Sequence, residues 1–137
     1  MCWKKYCSLV LSFLALNFVL LPAYGLRDAL FNDIAAPALL SPVTEDIDLD
    51  GKDTLEFRWL AAPEIFVYYT EFRLYKSANN FASDLIYKKN IQPGNYKINV
   101  PSTYFEKGQT YSWTLRIIFT NGNRTEKAYS TFKVSNK

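Results

Sequence analysis

Large apolar residues alternate with polar ones from position 111 to position 120, which is the clearest pattern in the chain. The apolar set is Tyr111, Trp113, Leu115, Ile117 and Phe119, and the polar set is Ser112, Thr114, Arg116 and Thr120. Alternation with a period of two is typical of a strand that buries one face and exposes the other. We therefore predict a half-buried strand whose apolar set points into the core.

A sharp corner precedes this strand. Lys107 and Gly108 lie between Phe105 and Tyr111, and glycine permits a tight change of direction. A tyrosine just past such a corner can bury its ring and return its hydroxyl to the upstream backbone, as at the tyrosine corner of antiparallel sandwiches. We predict this arrangement for Tyr111.

Six further segments have the pattern of short strands. They are residues 38–41, 55–59, 66–76, 85–88, 96–100 and 128–134. Turn signals separate them, and Asn121-Gly122-Asn123 is a hairpin signal before the last strand. Seven short strands without a long helix predict an all-β, antiparallel sandwich.

The first 25 residues form a separate signal. Lys4 and Lys5 precede an apolar run, residues 8–21, which ends in a small-residue motif at 22–25. This order is typical of a secretory signal peptide, and the run is shorter than the about 20 apolar residues that cross a membrane. We predict a cleaved signal peptide at 1–25, no transmembrane segment in the mature chain, and a secreted protein, periplasmic or extracellular.

The residue types of the mature chain argue against an enzyme. Both cysteines, Cys2 and Cys7, fall inside the predicted signal peptide, so thiol chemistry and disulfides are excluded from the mature protein. Histidine, the commonest general base and nitrogen metal ligand, does not occur in the sequence. Acidic residues outside 45–56 are scattered singly. We predict a non-catalytic protein.

Cleavage would leave about 110 residues, the size of one domain. We expect a sandwich over residues 37–135, preceded by a tail or short amphipathic helix at 26–36. The net charge of +3 falls to about +1 on cleavage, which makes no case for nucleic acid binding. Residues 26–56 hold eight acidic and two basic residues, whereas 57–137 hold five and twelve. Because segments of a sandwich interleave, we expect at most a modest dipole.

One acidic segment has the spacing of a metal site. Asp46, Asp48 and Asp50, followed by Gly51, match the first half of a calcium loop. The bidentate glutamate required at loop position twelve is replaced by Phe57. Calcium is therefore the one cofactor that the sequence suggests, and a solvated turn between the first two strands is the alternative.

The order of core and corner residues resembles that of a bacterial fibronectin type III domain. The residues that carry the resemblance are Phe57, Trp59, Phe72, Leu74, Asn80, Phe81, Tyr96, Ile98, Phe105, Gly108, Tyr111, Trp113, Ser130, Phe132 and Val134. The resemblance covers residues 37 to about 134 and implies a seven-stranded immunoglobulin-like sandwich used for adhesion, spacing or ligand binding in secreted proteins. Such domains usually occur in tandem or beside a catalytic module, whereas this sequence contains a single one. We therefore expect it to act alone or to join a larger assembly.

The outward positions of the predicted strands suggest a binding surface. In the strand at 66–76 we expect Tyr68, Thr70, Phe72 and Leu74 to point inward, and Tyr69, Glu71, Arg73 and Tyr75 to point outward. The pairing that the resemblance implies sets the last group beside Arg116, Ile118 and Tyr129. Tyrosine and arginine are enriched where proteins contact partners. The candidate binding residues are Tyr69, Arg73, Tyr75, Arg116 and Tyr129.

Three interpretations of this surface stay open at the level of sequence. The first is recognition of a protein partner in the cell envelope or extracellular space, through the face or through an exposed edge strand. The second is polysaccharide binding by stacking on the same tyrosines, with or without calcium. The third is structural, because cross-strand pairs of this kind also hold the register of a sheet. Separately, Asn123-Arg124-Thr125 matches an N-glycosylation acceptor.

Overall fold

A computed structural model describes residues 34–62 and 66–136, which contain eight strands and two 3-10 turns. The strands are β1 (Leu39–Ser41), β2 (Glu45–Ile47), β3 (Thr54–Trp59), β4 (Val67–Tyr75), β5 (Leu85–Ile91), β6 (Lys97–Pro101), β7 (Thr110–Phe119) and β8 (Ala128–Val134). The turns are Ala82–Asp84 and Ser102–Tyr104. The predicted signal peptide, and most of the predicted tail, lie outside the described residues.

The strands form two sheets packed face to face. One has three strands in the order β1-β3-β6, and the other has five in the order β2-β8-β7-β4-β5. Every pair is antiparallel except β2 with β8, which is parallel. The prediction of an all-β, immunoglobulin-like sandwich is confirmed. In the part of the chain that is described, no helix is long and apolar enough to span a membrane.

All seven predicted strands are present, and the eighth is β2. It lies within the segment that we interpreted as an acidic loop, and its residues pair with Phe132, Lys133 and Val134 of β8. The chain leaves the three-stranded sheet after β1 and joins the five-stranded sheet at β2, with a cis peptide bond between Ser41 and Pro42. Sequence pattern missed β2 because its three residues show no period and lie within an acidic run that matches a loop.

The core lies between the sheets and is rich in aromatic rings. Phe57 of β3 is fully buried, and its ring centroid lies 5.0 Å from that of Phe72, 5.1 Å from that of Trp113 and 5.7 Å from that of Phe132. These rings meet edge to face, the arrangement favoured by their quadrupoles. The indole Nε1 of Trp113 donates a hydrogen bond of 2.9 Å to the carbonyl oxygen of Pro42. This bond satisfies a buried donor at the point where the chain passes from one sheet to the other.

The corner before β7 has the predicted form. The ring of Tyr111 is fully buried, and the backbone N–H of Glu106 donates to its hydroxyl oxygen at 2.7 Å. Gly108 has a φ of +77°, and its N–H donates to the carbonyl oxygen of Val134 at 2.9 Å. The predicted hairpin after β7 is also confirmed, since the N–H of Phe119 donates to the carbonyl oxygen of Asn123.

Candidate binding surface

The register of the five-stranded sheet arranges its outward residues in rows across neighbouring strands. The first row is Lys88, Arg73, Thr114 and Tyr129, and the second is Asn90, Glu71 and Arg116. Tyr69 lies opposite Ile118, next to the second row. Four of the five candidate residues, Tyr69, Arg73, Arg116 and Tyr129, therefore share one face, which we call the tyrosine-arginine face. Their role in binding stays a prediction.

The fifth candidate, Tyr75, is buried. Only 2% of its surface is exposed, so the expectation that it points to solvent is wrong. Its partner in the register is Ser112, which is fully buried as well. Tyr75 points outward from the core as the period requires, but another segment covers it. We therefore remove Tyr75 from the candidate surface.

The cover is the segment 77–81, which follows β4 and folds back over the outer side of the sheet. The hydroxyl of Ser112 donates to the carbonyl oxygen of Asn79 at 3.3 Å, and the hydroxyl of Tyr129 donates to that of Ala78. Ser77 Oγ lies 2.8 Å from Asp84 Oδ2, which holds the start of the segment to the 3-10 turn. Ser112, which this segment covers, is buried, and Thr114 is buried as well, although both were predicted to be exposed.

Arg73 is fixed in position by its neighbours on β4. Its Nη2 lies 2.7 Å from Glu71 Oε1, and a side-chain hydrogen bond joins it to Tyr75. Burial lowers the pKa of Arg73, but the charge of Glu71 and these hydrogen bonds outweigh it and raise the pKa above the ordinary value. The guanidinium is thus held as a cation in one orientation, beside the ammonium-bearing Lys88 on β5.

The rim of this face is shallow and mixed in charge. A hollow at the β4–β5 edge is lined by Glu71, Arg73, Lys88, Lys89 and Asn90. Within the described residues, the Nε atoms of Arg73 and Arg116 are buried without a hydrogen-bond acceptor. The inner parts of both guanidinium groups are therefore shielded from solvent.

Two exposed aromatic residues at the start of β4 were missed by sequence reasoning. The register shifts between Val67 and Tyr69, so Tyr68 does not continue the inward phase of Thr70. Tyr68 is 63% exposed, which corrects its predicted inward position, and Phe66 is exposed to the same extent. The rings of Tyr68 and Tyr69 lie 5.2 Å apart. The run of four apolar and aromatic residues at 66–69 was the available signal, because it breaks the period of two.

The three aspartates of the calcium hypothesis do not converge. Asp46 is on β2, Asp48 Oδ1 accepts the backbone N–H of Asp50 at 2.9 Å, and Asp50 Oδ1 lies 2.7 Å from Lys107 Nζ. In the described ranges, no group of three acidic, cysteine or histidine side chains could hold a metal ion. The geometry matches the alternative, a solvated turn, although that turn follows a strand. Asn123 is half-buried, and its glycosylation stays a prediction.

Comparison with known proteins gives matches in structure alone. The sequence matches no protein-family model, and no curated protein is similar to it. The chain is similar to the fibronectin(III)-like modules of CbhA from Clostridium thermocellum, with 11% identity over 72% of this chain and 95% of that chain and a TM-score of 0.46. An Fn3-like protein from Clostridium thermocellum has 20% identity over 73% of this chain and 95% of its own, with a TM-score of 0.41.

The fold can be stated from the features of this chain. From the sequence we expected two facing sheets and a buried tyrosine that bonds the backbone before β7, and the chain has both. The chain has a fibronectin type III-like fold, as predicted, with eight strands where seven were expected.

Proposed function

We propose that this chain is an exported, non-catalytic module that recognises a protein partner through the tyrosine-arginine face. The observation that carries the proposal is the side-by-side placement of Tyr69, Arg73, Arg116 and Tyr129 on one side of the five-stranded sheet. Export is supported by the signal-peptide pattern of residues 1–25.

The chemistry of the face suits protein recognition. Tyr129 is 48% exposed, and Tyr68, whose ring lies 5.2 Å from that of Tyr69, is 63% exposed, so each offers a large ring to a partner. Tyrosine buries much area for little lost side-chain freedom, and an arginine held in place loses less entropy on binding than a free one. The bond from Tyr129 to Ala78 and the pair between Arg73 and Glu71 fix two of these side chains in advance.

The edges of the sheets are less suited to receive a strand from an unrelated partner. Strands β1 and β2 contain three residues each, which gives a partner few backbone groups to pair with. Strand β5 carries Lys88 and Lys89, and β6 begins with Lys97 and ends with Pro101. Charged and proline-bearing edges repel neutral strands. The face is therefore favoured over edge addition for this function.

The test is affinity capture from the secreted and envelope fractions of the native cell. The baits are the wild-type chain, a Tyr69→Ala/Tyr129→Ala variant and a Tyr104→Ala control. Tyr104 is 40% exposed but lies in the turn after β6, outside the rows of the face. We expect one partner to be retained by wild type and control and lost by the double variant.

A further variant separates recognition from folding of the segment 77–81. Tyr129→Phe keeps the ring but removes the hydroxyl that bonds Ala78. If the face binds through its rings, Tyr129→Phe retains the partner. The melting temperature of the double variant is measured separately, to show that this variant is folded. A partner that binds all the baits equally would refute the role of the face.

Carbohydrate binding is the second candidate, and the exposed rings of Phe66 and Tyr68 favour it. Aromatic rings that stand clear of the surface can stack on sugars. Its test is electrophoresis of the protein through gels that contain polysaccharides, with Tyr68→Ala beside wild type. Retardation of wild type that Tyr68→Ala abolishes would favour carbohydrate, whereas equal mobility in every gel would eliminate it.

A further inference from the structure

The two edge strands of the five-stranded sheet carry opposite charge. Strand β2 and the turn after it expose Glu45, Asp46 and Asp48, whereas β5 exposes Lys88 and Lys89. Within the described residues, none of these five side chains has an oppositely charged group within 4.0 Å. Glu45 and Asp48 accept hydrogen bonds from nearby backbone N–H groups, but no ion pair among the described residues neutralises these charges.

The two edges cannot neutralise each other within one molecule. The order β2-β8-β7-β4-β5 places them at opposite sides of the sheet. Four strand spacings of about 4.8 Å separate them by roughly 19 Å, which exceeds the Debye length of about 8 Å at physiological ionic strength. Within this sheet the acidic residues of β2 and the lysines of β5 are thus separated in space, although Asp46 stands opposite Lys133 of the adjacent strand β8.

The two edges of the five-stranded sheet allow three pairings between copies, and only one of them is electrostatically favourable. Pairing β5 with β5 sets lysine against lysine, and pairing β2 with β2 sets carboxylate against carboxylate, and like charges on adjacent strands are destabilising. Pairing β5 with β2 sets Lys88 and Lys89 beside Glu45 and Asp46. The lysines that repel a neutral or basic strand would attract an acidic one.

The strand directions also permit this pairing. Strand β2 is parallel to β8, and β8, β7, β4 and β5 are successively antiparallel, so β2 and β5 run in opposite directions. A second copy in the same orientation would therefore bring its β2 antiparallel to β5 of the first. Antiparallel pairing is the commoner kind, and this contact repeats head to tail.

We infer that copies of this chain associate head to tail, with the acidic β2 edge of one copy added to the basic β5 edge of the next. Because β2 has only three residues, each contact is small, and the association is weak, reversible and sensitive to salt. It uses the edges of the sheet and does not depend on the partner proposed for the tyrosine-arginine face.

The test is sedimentation equilibrium of the purified full chain in low and high salt, with charge-reversed variants. The basic-edge variant is Lys88→Glu/Lys89→Glu. The acidic-edge variant is Glu45→Lys/Asp46→Lys/Asp48→Asn, in which asparagine keeps the oxygen that accepts the N–H of Asp50. The control is Arg124→Glu/Lys127→Glu, which reverses two charges between β7 and β8, away from both edges.

We expect wild type and control to associate in low salt and to dissociate as salt rises to about 0.5 M, where the Debye length is only a few ångströms. Each edge variant alone should associate at least about tenfold more weakly, because both of its edges then carry the same sign. An equimolar mixture of the two edge variants should associate again, since each supplies the edge that the other lacks.

The mixture keeps the inference falsifiable, because a variant that had lost its fold could not restore association. A wild-type chain that is monomeric in low salt overturns the inference. So does association that strengthens with salt, association that survives either reversal, or a mixture that stays monomeric. The first 33 residues are common to all the samples.

Discussion

Tyr111 and Gly108 shape the corner that leads into β7. The tyrosine supplies a buried ring and an acceptor for the N–H of Glu106, while the glycine supplies a backbone conformation that other residues avoid. Glu106 also pairs with Lys76, whose Nζ lies 2.6 Å from its Oε1, so the corner is tied to the end of β4. Few positions in the chain have two such constraints within four residues.

Removal of the Tyr111 hydroxyl should destabilise the fold without abolishing it. Tyr111→Phe keeps the buried ring and deletes the acceptor of the Glu106 N–H. We expect the free energy of unfolding to fall by about 1 kcal/mol, measured by chemical denaturation. The exposed Tyr104→Phe is the matched control, and equal losses in the two variants would contradict a specific role for the corner.

The same hydroxyl should make stability depend on alkaline pH. Burial raises the pKa of Tyr111 above 10.0, although the bond from the Glu106 N–H opposes the rise. A raised folded-state pKa favours the neutral phenol, so its stabilisation is complete below the unfolded pKa of about 10 and is lost as pH rises through the folded value. We expect wild type to lose more free energy of unfolding above about pH 10 than Tyr111→Phe does, in denaturation at each pH. Parallel curves for the two proteins would contradict it.

Gly108 should tolerate alanine poorly for a conformational reason. Its φ is +77°, and an added Cβ would lie 2.3 Å from Asn136 Oδ1. That oxygen ends a flexible side chain and can move, whereas the backbone strain remains. We expect Gly108→Ala to cost about 1 kcal/mol of unfolding free energy. Most of this cost should persist in Gly108→Ala/Asn136→Ala, and full recovery in the double variant would show that the contact, rather than φ, was decisive.

At the scale of elements, β7 departs most from its sequence pattern. The strand alternates apolar and polar residues, yet Ser112 and Thr114 on its polar side are as buried as its core side. The segment 77–81 lies over Ser112 and accepts hydrogen bonds from Ser112 and Tyr129. Small hydroxyl side chains allow this close cover, because they fill little space and can bond to the covering backbone.

The turn after β2 should bind calcium no better than the rest of the surface. Asp48 accepts the backbone N–H of Asp50, and Asp50 pairs with Lys107. Asp46 lies apart from them, on β2. We expect the melting temperature to be the same in millimolar calcium and in chelator, because only a ligand that binds the folded state raises it. A rise that Asp48→Asn abolishes would restore the calcium hypothesis.

At the scale of the whole molecule, the described residues from Ile34 onward form one compact unit with a shared core. Phe57 belongs to the three-stranded sheet, while Phe72 and Trp113, which its ring contacts, belong to the five-stranded sheet. The two sheets therefore depend on the same aromatic contacts. We infer that neither unfolds without the other.

Truncation of Phe57 should test this dependence. We expect Phe57→Ala to lower the free energy of unfolding by about 3–5 kcal/mol, because it leaves a cavity between the sheets. Tryptophan fluorescence and far-ultraviolet circular dichroism should report one coincident transition in both proteins. Val43→Ala, a change at an exposed side chain, is the control. Two separate transitions would show that the sheets fold independently.

The sequence by itself determined the sandwich, the seven strands other than β2 and the tyrosine corner. These features follow from local rules, because a period of two reveals a half-buried strand and glycine before a tyrosine reveals the turn. The inward set of β8, Ser130, Phe132 and Val134, is buried as its alternation predicts. The common face of Tyr69, Arg73, Arg116 and Tyr129 likewise follows from alternation and strand pairing.

Only the tertiary structure decided which outward residues reach solvent and which strands lie at the edges. Tyr75 is buried by a segment that returns over its own sheet, and Tyr68 is exposed by a shift of register. Strand β2 exists because β8, about ninety residues along the chain, offers an unpaired edge. The strand order also places its acidic residues and the lysines of β5 at opposite edges of the sheet. These features depend on contacts between distant segments, which a local pattern of polar and apolar residues does not encode.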